Sequence, residues 1–345
     1  MLMCFDTGMR MAPAPPESWD AHRVFFYFSA RSSGIGYATV QHLARRGAKV
    51  YMGARNPDRA KAAIERMQAE GLGPGNGQVL YVNVDFTELT VAKQSAENFM
   101  QLETRTEQLH TVNSAAQLLV PYAKSHNDIQ DIVMVNYLSP TIFIRTLMPL
   151  LKQTAIEPNG DVRIVEVSSD GHETVAKTVR FRNIDDFNVS LGASDSMLAR
   201  HLRYCLSKLM GILHMKELQR RLDSEGVPII VLSVHPGIVN TEGVQAFAHS
   251  VGPILSPIFS LIARACFSSP TEGGYSPSFA AAAPVVRAEA EKYRGAHIVP
   301  PGKLGRASAL AEDHELAKEL WDTTEKILQD NGMQYSYHSS VHDAL

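Results

Sequence analysis

Short apolar segments alternate with helical patterns along most of this chain. Such alternation is typical of strand–helix–strand units that build a parallel sheet covered by helices. The apolar runs predict strands over residues 24–29, 48–53, 78–84, 109–112, 162–168 and 227–234. The amphipathic stretches between them predict helices over 37–46, 57–70 and 91–103.

The pattern therefore predicts an α/β fold, a single Rossmann-type doubly wound parallel sheet with helices on both faces. No internal repeat and no low-complexity linker divides the chain, and one α/β domain can contain about 250 residues or more. We place the domain at 22–330, between an N-terminal tail over 1–21 and a C-terminal tail over 331–345.

Composition and charge narrow the class of protein. Of 345 residues, 45% are hydrophobic and 20% charged, which is typical of a globular chain. A net charge of −3 without a basic cluster argues against a nucleic-acid partner. Only 3 cysteines occur, without metal-ligand spacing, so we expect no disulfide framework, no metal site and a reducing, cytoplasmic location.

No segment of the sequence predicts a membrane span. The N-terminus lacks the apolar run of a secretory signal. The apolar stretch over 251–267 is interrupted by Pro253, Pro257 and Arg264, whereas a spanning helix needs about 20 mainly apolar residues. Peripheral membrane association and a homodimer remain open alternatives at this stage.

Two glycines follow the first predicted strand. In the segment ARSSGIG, Gly34 and Gly36 precede a predicted helix. Glycines at this place in a dinucleotide site permit a tight turn and close approach of the pyrophosphate to the helix N-terminus. A turn that merely needs two small residues would show the same pattern.

Polar residues stand where later strands end, which is where open α/β sheets bind ligands. Each taken alone would be read as a turn or cap former. They are Asp85, Asn113, the pair Ser168 and Ser169, and the group Pro236, Gly237 and Thr241.

Tyr204 and Lys208 stand four residues apart in YCLSK, a spacing that places them on one face of a helix. Lowering the pKa of a phenol from about 10 to about 7 takes about 4 kcal/mol. One ammonium at about 4 Å supplies about that much at an effective dielectric constant near 20. The pair suits proton transfer, although with 11 tyrosines the pattern also arises readily by chance.

The order of these motifs is more informative than any one of them. Glycine loop, strand-end Asp, Asn and Ser, helical Tyr-x-x-x-Lys and a final Pro-Gly resemble the short-chain dehydrogenase/reductase family over roughly 24–328. The segments SSDGHE, FRNIDDFN, EKYRGAHIVPPGK and LAKELWDTTEKIL resemble its retinol-dehydrogenase-like and WW-domain-oxidoreductase-like branch.

The resemblance implies four catalytic residues. Ser169 would hold the substrate oxygen, and Tyr204 would be the general acid or base. Lys208 would bind the ribose hydroxyls and lower the pKa of the tyrosine. Asn136, in VNYLSP, would order the water of a proton relay.

The resemblance also implies a cofactor site. Asn113 corresponds to the family's Asn-Asn-Ala-Gly strand end, Asp85 to the adenine contact, and Val239 with Thr241 to the contacts around the carboxamide. The predicted cofactor-binding set comprises Ser29, Arg31, Ser33, Gly34, Ile35, Gly36, Arg55, Asp85, Asn113, Tyr204, Lys208, Pro236, Gly237, Val239 and Thr241.

We predict NADP(H) over NAD(H). The second strand ends in Gly53-Ala54-Arg55 without the acidic residue that would bind a free 2′-hydroxyl, and an arginine there can pair with a 2′-phosphate. An Arg55 that only caps the strand end in solvent is the alternative.

The expected reaction is hydride transfer to or from a small lipophilic alcohol, aldehyde or ketone. The apolar segment 242–267 would form the lid and wall of its pocket, or else pack as ordinary core or dimer surface. Two departures from the family favour a second hypothesis, a catalytically weakened nucleotide-binding or interaction protein. Ser29-Ala30 replaces the leading Thr-Gly, and Asn113-Ser114-Ala115-Ala116 replaces Asn-Asn-Ala-Gly.

Overall fold

A computed structural model describes residues 24–28, 34–103, 108–192, 195–240 and 267–333 of the chain. Its strands are β1 (Val24–Phe28), β2 (Lys49–Ala54), β3 (Gln78–Asn83), β4 (Gln108–Asn113), β5 (Lys124–His126), β6 (Ile129–Gln130), β7 (Asp161–Val167), β8 (Ile230–Val234), β9 (His297–Val299) and β10 (Lys303–Gly305).

The main sheet has the strand order β10-β9-β8-β7-β4-β1-β2-β3. All neighbouring pairs from β3 to β9 are parallel, and β10 pairs antiparallel with β9 at the edge. The strand order reverses between β1 and β4, which opens a crevice at their carboxyl ends. The predicted Rossmann-type α/β fold is confirmed.

Helices follow most strands of the sheet. They are α1 (Ile35–Ala44), α2 (Pro57–Glu70), α3 (Leu89–Leu102), α4 (Asp131–Val133), α5 (Ser139–Ala155), α6 (Ile184–Phe187), α7 (Met197–Ser224), α8 (Pro270–Gly273), α9 (Tyr275–Ala282), α10 (Pro284–Ala288), α11 (Ala290–Tyr293) and α12 (His314–Asp330). A π-helical turn at Met134–Leu138 joins α4 to α5, and a 3-10 turn covers Asp170–Thr174.

The core lies on both faces of the sheet. One cluster of buried side chains joins the sheet to α3, α5, α7 and α12, and a second joins it to α1, α2 and α9. Every residue of β7 is buried, as expected of a central strand covered on both faces.

Local chemistry explains why α2 has the predicted bounds. The Asn56 side chain accepts a hydrogen bond from the Arg59 backbone amide, and Pro57 occupies the first helical position. The helix ends before Gly71, whose φ of 87° lies in the region that favours glycine.

The last predicted strand was too long. β8 begins at Ile230, not at residue 227, because Pro228 has no amide to donate to a neighbouring strand. The Gln219 side chain of α7 bonds this stretch instead, donating to Ile229 O at 3.1 Å and accepting from Val231 N at 2.6 Å.

Several predicted features lie outside the described residues. These are the tail over 1–21, the segment 334–345 and most of the predicted lid, 242–266. Among the helices that the structure describes, none is both long and apolar enough to cross a membrane.

Candidate active site

The crevice at the reversal of strand order is bordered by the end of β4. Asn113 is 1% exposed there. Its Nδ2 donates to Glu166 Oε2 at 2.6 Å, and its Oδ1 accepts from Ala115 N at 3.1 Å. The Asn113 side chain therefore links β4 to β7 and holds the turn that leaves the strand.

The nucleotide half of the crevice begins at α1. Gly34 precedes this helix with a φ of 74°, a conformation that favours glycine. No side chain among the described residues caps the helix, and backbone amides at a helix N-terminus, here those of Ile35 and Gly36, are the groups that bind anions. These residues fit the pyrophosphate of a dinucleotide. Ser29, Arg31 and Ser33 lie outside the described residues.

Two further predicted cofactor residues follow adjacent strands. Arg55 comes directly after β2 and is exposed, and Asp85 comes two residues after β3. Asp85 Oδ1 accepts from Thr87 N at 2.9 Å, so its carboxylate orders the turn. Ala54 and Asn83, the last residues of the two strands, pair in register. Arg55 and Asp85 therefore follow the strands at the same edge of the sheet.

The loop after β8 faces α1 from the other side of the crevice. Gly237 has a φ of 92°, and a Cβ there would lie 3.1 Å from Pro300 Cγ. Val239 is 5% exposed and forms a β-bridge with Ser268. A Cβ on Gly273 would come within 2.6 Å of Val239 Cγ2 and 3.1 Å of Ile35 Cγ1.

This packing brings Val239 close to the start of α1. Pro236 precedes Gly237 in the same loop. Thr241 lies outside the described residues.

Asn136 lies in the π-helical turn before α5 and is 1% exposed. Its Nδ2 donates to Gln117 O and to Ser207 Oγ, both at 3.0 Å, and its Oδ1 accepts from Gln117 N at 2.7 Å. Single π turns inside helices occur frequently at functional sites. The Asn136 amide thus fastens the segment after β4 to α7.

Tyr204 and Ser169 meet where α7 passes the end of β7. The Ser169 hydroxyl interacts with the Tyr204 phenol and lowers its pKa, but burial is the larger effect and raises the pKa of Tyr204. The Ser169 Oγ also accepts from Gly171 N at 3.1 Å, which caps the 3-10 turn. The structure therefore brings the predicted acid–base residue and the predicted substrate-oxygen ligand together.

Lys208 lies one turn of α7 beyond Tyr204, and its Nζ is 5.9 Å from the centroid of the Tyr204 ring. The ammonium donates to Val167 O at 2.6 Å and lies 3.8 Å from Glu166 Oε1. Burial lowers the pKa of Lys208, and the Glu166 carboxylate raises it. The lysine is thus held by β7, a contact that helical spacing alone does not predict.

Three residues of this site were missed from sequence. Glu166 was read as one member of an apolar strand, and only its charge in RIVEV signalled otherwise. His172 and His235 hold the turn at Ser169. His172 Nδ1 donates to Ser169 O at 2.6 Å, because Ser308 N donates to the other ring nitrogen at 2.9 Å. Asp170 N donates to His235 Nδ1 at 3.2 Å.

The described residues contain no group of three or more His, Cys, Asp or Glu side chains that could hold a metal ion.

The family model for short chain dehydrogenases matches residues 28–179. A short-chain dehydrogenase/reductase of Armillaria gallica is 40% identical over 89% of this chain and 92% of its own length. Retinol dehydrogenase 14 of Mus musculus is 33% identical over 86% of this chain and 83% of its own.

Solved structures agree at the level of the fold. A putative uncharacterized protein from Mycobacterium paratuberculosis has a TM-score of 0.62 at 23% identity, covering 90% of this chain and 97% of that one. An actinorhodin polyketide ketoreductase variant with NADPH has a TM-score of 0.59 at 16% identity, over 82% and 97% of the two chains.

The chain is an oxidoreductase and belongs to the short-chain dehydrogenase/reductase family, whose members use NAD(P) cofactors. Within that family it belongs to the retinol-dehydrogenase-like branch, as the sequence predicted.

Proposed function

We propose that this protein transfers a hydride between NADP(H) and a lipophilic alcohol, aldehyde or ketone, with Tyr204 and Lys208 handling the proton. The observation that carries the proposal is the meeting of Tyr204, Ser169 and Lys208 beside the crevice that begins at Gly34. Ser169 follows β7, whereas Tyr204 and Lys208 lie on α7.

Bound nicotinamide would donate or accept the hydride, and this chain's own residues would manage the oxygen and the proton. Ser169 Oγ donates to Asp170 Oδ1 at 3.0 Å in the structure, and the hydroxyl would rotate to donate to the substrate oxygen. Tyr204 Oη gives up its proton to that oxygen in carbonyl reduction and takes it back in carbinol oxidation. Burial raises the pKa of Tyr204, which keeps the phenol protonated and ready to donate.

Lys208 and Asn136 support the proton transfer. The Lys208 ammonium would bind the ribose hydroxyls and favour the phenolate once Tyr204 has lost its proton. Asn136, joined to α7 through Ser207, would hold the water that returns the proton.

The proposed NADP(H) preference rests on Arg55. Its exposed guanidinium follows the strand that reaches the adenosine ribose in this fold, and guanidinium groups bind phosphates through paired hydrogen bonds. No acidic residue precedes it at the strand end, where Gly53 and Ala54 stand.

The proposed lipophilic substrate rests on two observations. Ile238, an apolar residue in the loop beside Gly237, is 56% exposed. Relatives are named retinol dehydrogenase, after a lipophilic alcohol. Apolar walls with few polar groups suit such substrates.

Cofactor titration followed by single-turnover reduction tests this function. NADPH and NADH are titrated by fluorescence, and the NADPH complex is then mixed with long-chain and short-chain aldehydes. We expect tighter binding of NADPH and faster oxidation of bound NADPH by the long-chain aldehyde. A protein that binds neither cofactor contradicts the proposal.

Ala30, in place of the family's glycine, favours a second candidate. A methyl there would crowd the turn or the phosphate, and the protein would then bind nucleotide weakly or act through interaction. NADPH binding without hydride transfer to any aldehyde or ketone supports this second function. Tighter NADPH binding in Ala30→Gly, together with hydride transfer to the same substrates as in the parent, supports the oxidoreductase function.

A further inference from the structure

One buried ionisable group at the site has no role in the mechanism above. Glu166 is 3% exposed in the middle of the sheet, on the central strand β7. Its Oε2 accepts from Asn113 Nδ2 at 2.6 Å. Its Oε1 has no hydrogen-bond partner among the described residues and lies 3.8 Å from Lys208 Nζ. A buried oxygen of this kind needs a counter-charge.

The structure makes room for this carboxyl group. On α7, Gly211 stands one turn beyond Lys208, and a Cβ there would lie 3.3 Å from Glu166 Cγ and 3.4 Å from Oε1. A glycine inside a helix costs about 1 kcal/mol relative to alanine. Lys208 and Gly211 therefore flank Glu166 from the same face of α7, one by charge and the other by the absence of a side chain.

We propose that Glu166 is the buried counter-ion of Lys208, a positioning residue that keeps the Lys208 ammonium charged and directs it. The ion pair follows from the geometry alone, and its catalytic consequence rests on the proposed function. Burial without a counter-ion drives a lysine toward its neutral form, which can no longer favour a Tyr204 phenolate.

The groups around Glu166 support this assignment. From α7 it faces Lys208, and its charge also raises the pKa of Tyr204. From β4 it faces the neutral amide of Asn113. Its register partner on β8 is Ser233, which hydrogen-bonds His297, and burial lowers the pKa of His297 to about 3, so this ring is neutral. Among these groups Lys208 alone is a cation.

The ionisation of Glu166 gives the pair a pH dependence. Burial raises the pKa of Glu166 to about 7, while Lys208 and Asn113 lower it. Glutamine imitates the protonated carboxyl group, so Glu166→Gln and the parent protein should behave alike below that pH. They should diverge above it, where the parent carboxylate is charged and the variant has lost the counter-ion.

The first test measures Lys208 itself. The protein is labelled with ¹³C at lysine Cε, and the Lys208 signal is assigned by its absence from Lys208→Met. In Glu166→Gln we expect the acid dissociation constant of Lys208 to rise at least about tenfold. An unchanged constant in a folded variant overturns the proposal. Because this readout does not depend on turnover, it remains decisive if the proposed function fails.

Matched variants separate charge from packing. Glu217 is another buried carboxylate, on α7, and it pairs with Arg220 and Arg221. Glu217→Gln should leave the Lys208 titration unchanged. Glu166→Asn removes the charge in a smaller side chain and serves if Glu166→Gln does not fold. A shift of equal size in Glu217→Gln contradicts a specific counter-ion.

The second test measures carbinol oxidation with NADP⁺ across pH. Relative to the parent, Glu166→Gln should lose turnover progressively, with the ratio growing about tenfold between about pH 7 and about pH 9. A loss by the same factor at every pH would indicate a structural role and overturn the catalytic part. If Tyr204→Phe also turns over normally, the proposed function fails, whereas the Lys208 titration still tests the ion pair.

Discussion

The contacts of Lys208 with β7 change how the Tyr204–Lys208 motif is interpreted. The spacing of Tyr204 and Lys208 predicted an ammonium next to the phenol, with a lowered tyrosine pKa as the result. In the structure the ammonium is also bound by Val167 O and faces Glu166, and burial raises the pKa of Tyr204. The helical spacing predicted that Tyr204 and Lys208 are neighbours, whereas the contacts of the Lys208 ammonium with β7 could not be read from that spacing.

Replacement of Tyr204 tests its role as the acid–base group. Tyr204→Phe should reduce kcat by at least about a thousandfold, because it deletes the transferred proton and leaves the packing of the ring intact. Steady-state kinetics and a melting curve check this. Tyr81→Phe, which removes the hydroxyl of a half-buried tyrosine on β3, is the control. Near-normal kcat in a folded Tyr204→Phe protein would remove Tyr204 from the mechanism.

Replacement of Arg55 tests the cofactor preference. Arg55→Ala should weaken NADPH binding about tenfold or more and leave NADH binding nearly unchanged, because only NADPH carries the 2′-phosphate. Fluorescence titration with both cofactors measures this. Lys61→Ala, an exposed cation on α2, controls for general charge. Equal weakening of NADPH and NADH binding would mean that Arg55 does not bind the 2′-phosphate.

At the scale of elements, α7 connects the site to the far side of the molecule. Its first half carries Tyr204 and Lys208. Its second half packs against α12, where the His214 ring stacks on Trp321 with centroids 4.7 Å apart. The Tyr137 hydroxyl bonds Thr324 of α12 at 2.7 Å and lies 3.3 Å from His214 Nδ1. The packing of α7 against α12 therefore includes a buried, neutral histidine.

The contact between α7 and α12 should make the protein sensitive to acid. Burial, with smaller effects of Arg145 and Arg221, lowers the pKa of His214 to about 3 from its ordinary 6.5. A folded-state pKa below the unfolded value gives stability that is present above pH 6.5 and is lost as pH falls toward 3. At about pH 5 the expected loss from this one group is about 2 kcal/mol.

His214→Gln should remove that part of the acid sensitivity. The free energy of unfolding, measured by urea denaturation at about pH 7 and about pH 5, should fall less in the variant than in the parent. His314→Gln changes an exposed residue at the start of α12, and its free energy of unfolding should fall as much as that of the parent. Parallel losses in His214→Gln and the parent would show that other groups control acid stability.

The elements predicted best were those whose signals are local. The helix α2 has an asparagine cap, a proline at its first position and a glycine at its end, and its predicted bounds match the structure. The six predicted strands match β1, β2, β3, β4, β7 and β8 to within a few residues, with the largest difference at the start of β8, whereas β5, β6, β9 and β10 were not predicted. Contacts such as those of Glu166 with Lys208 and Asn113 could not be predicted, because they join residues brought together only by strand order.

At the scale of the whole molecule, the site lies across two halves of the sheet. Gly34, Arg55 and Asp85 belong to the half built on β1, β2 and β3, whereas Asn113, Ser169 and Gly237 follow β4, β7 and β8. The loop after β8 and α8 fasten the halves through Val239 and through His42, whose Nε2 bonds Thr271 O at 2.9 Å. A dinucleotide in the crevice would contact both halves at once.

Cofactor binding should therefore stabilise the whole fold. A ligand that binds only the folded state at about 100 times its Kd adds about 2.7 kcal/mol. For a domain of this size we expect a rise in Tm of roughly 4 °C with NADPH. NADH at the same concentration should raise Tm less, and Arg55→Ala should remove most of the difference, because that difference arises from the 2′-phosphate. Differential scanning calorimetry measures all three. Equal shifts with NADH and NADPH in the parent protein would contradict the NADP(H) preference, and the absence of any shift would favour the non-catalytic interaction protein.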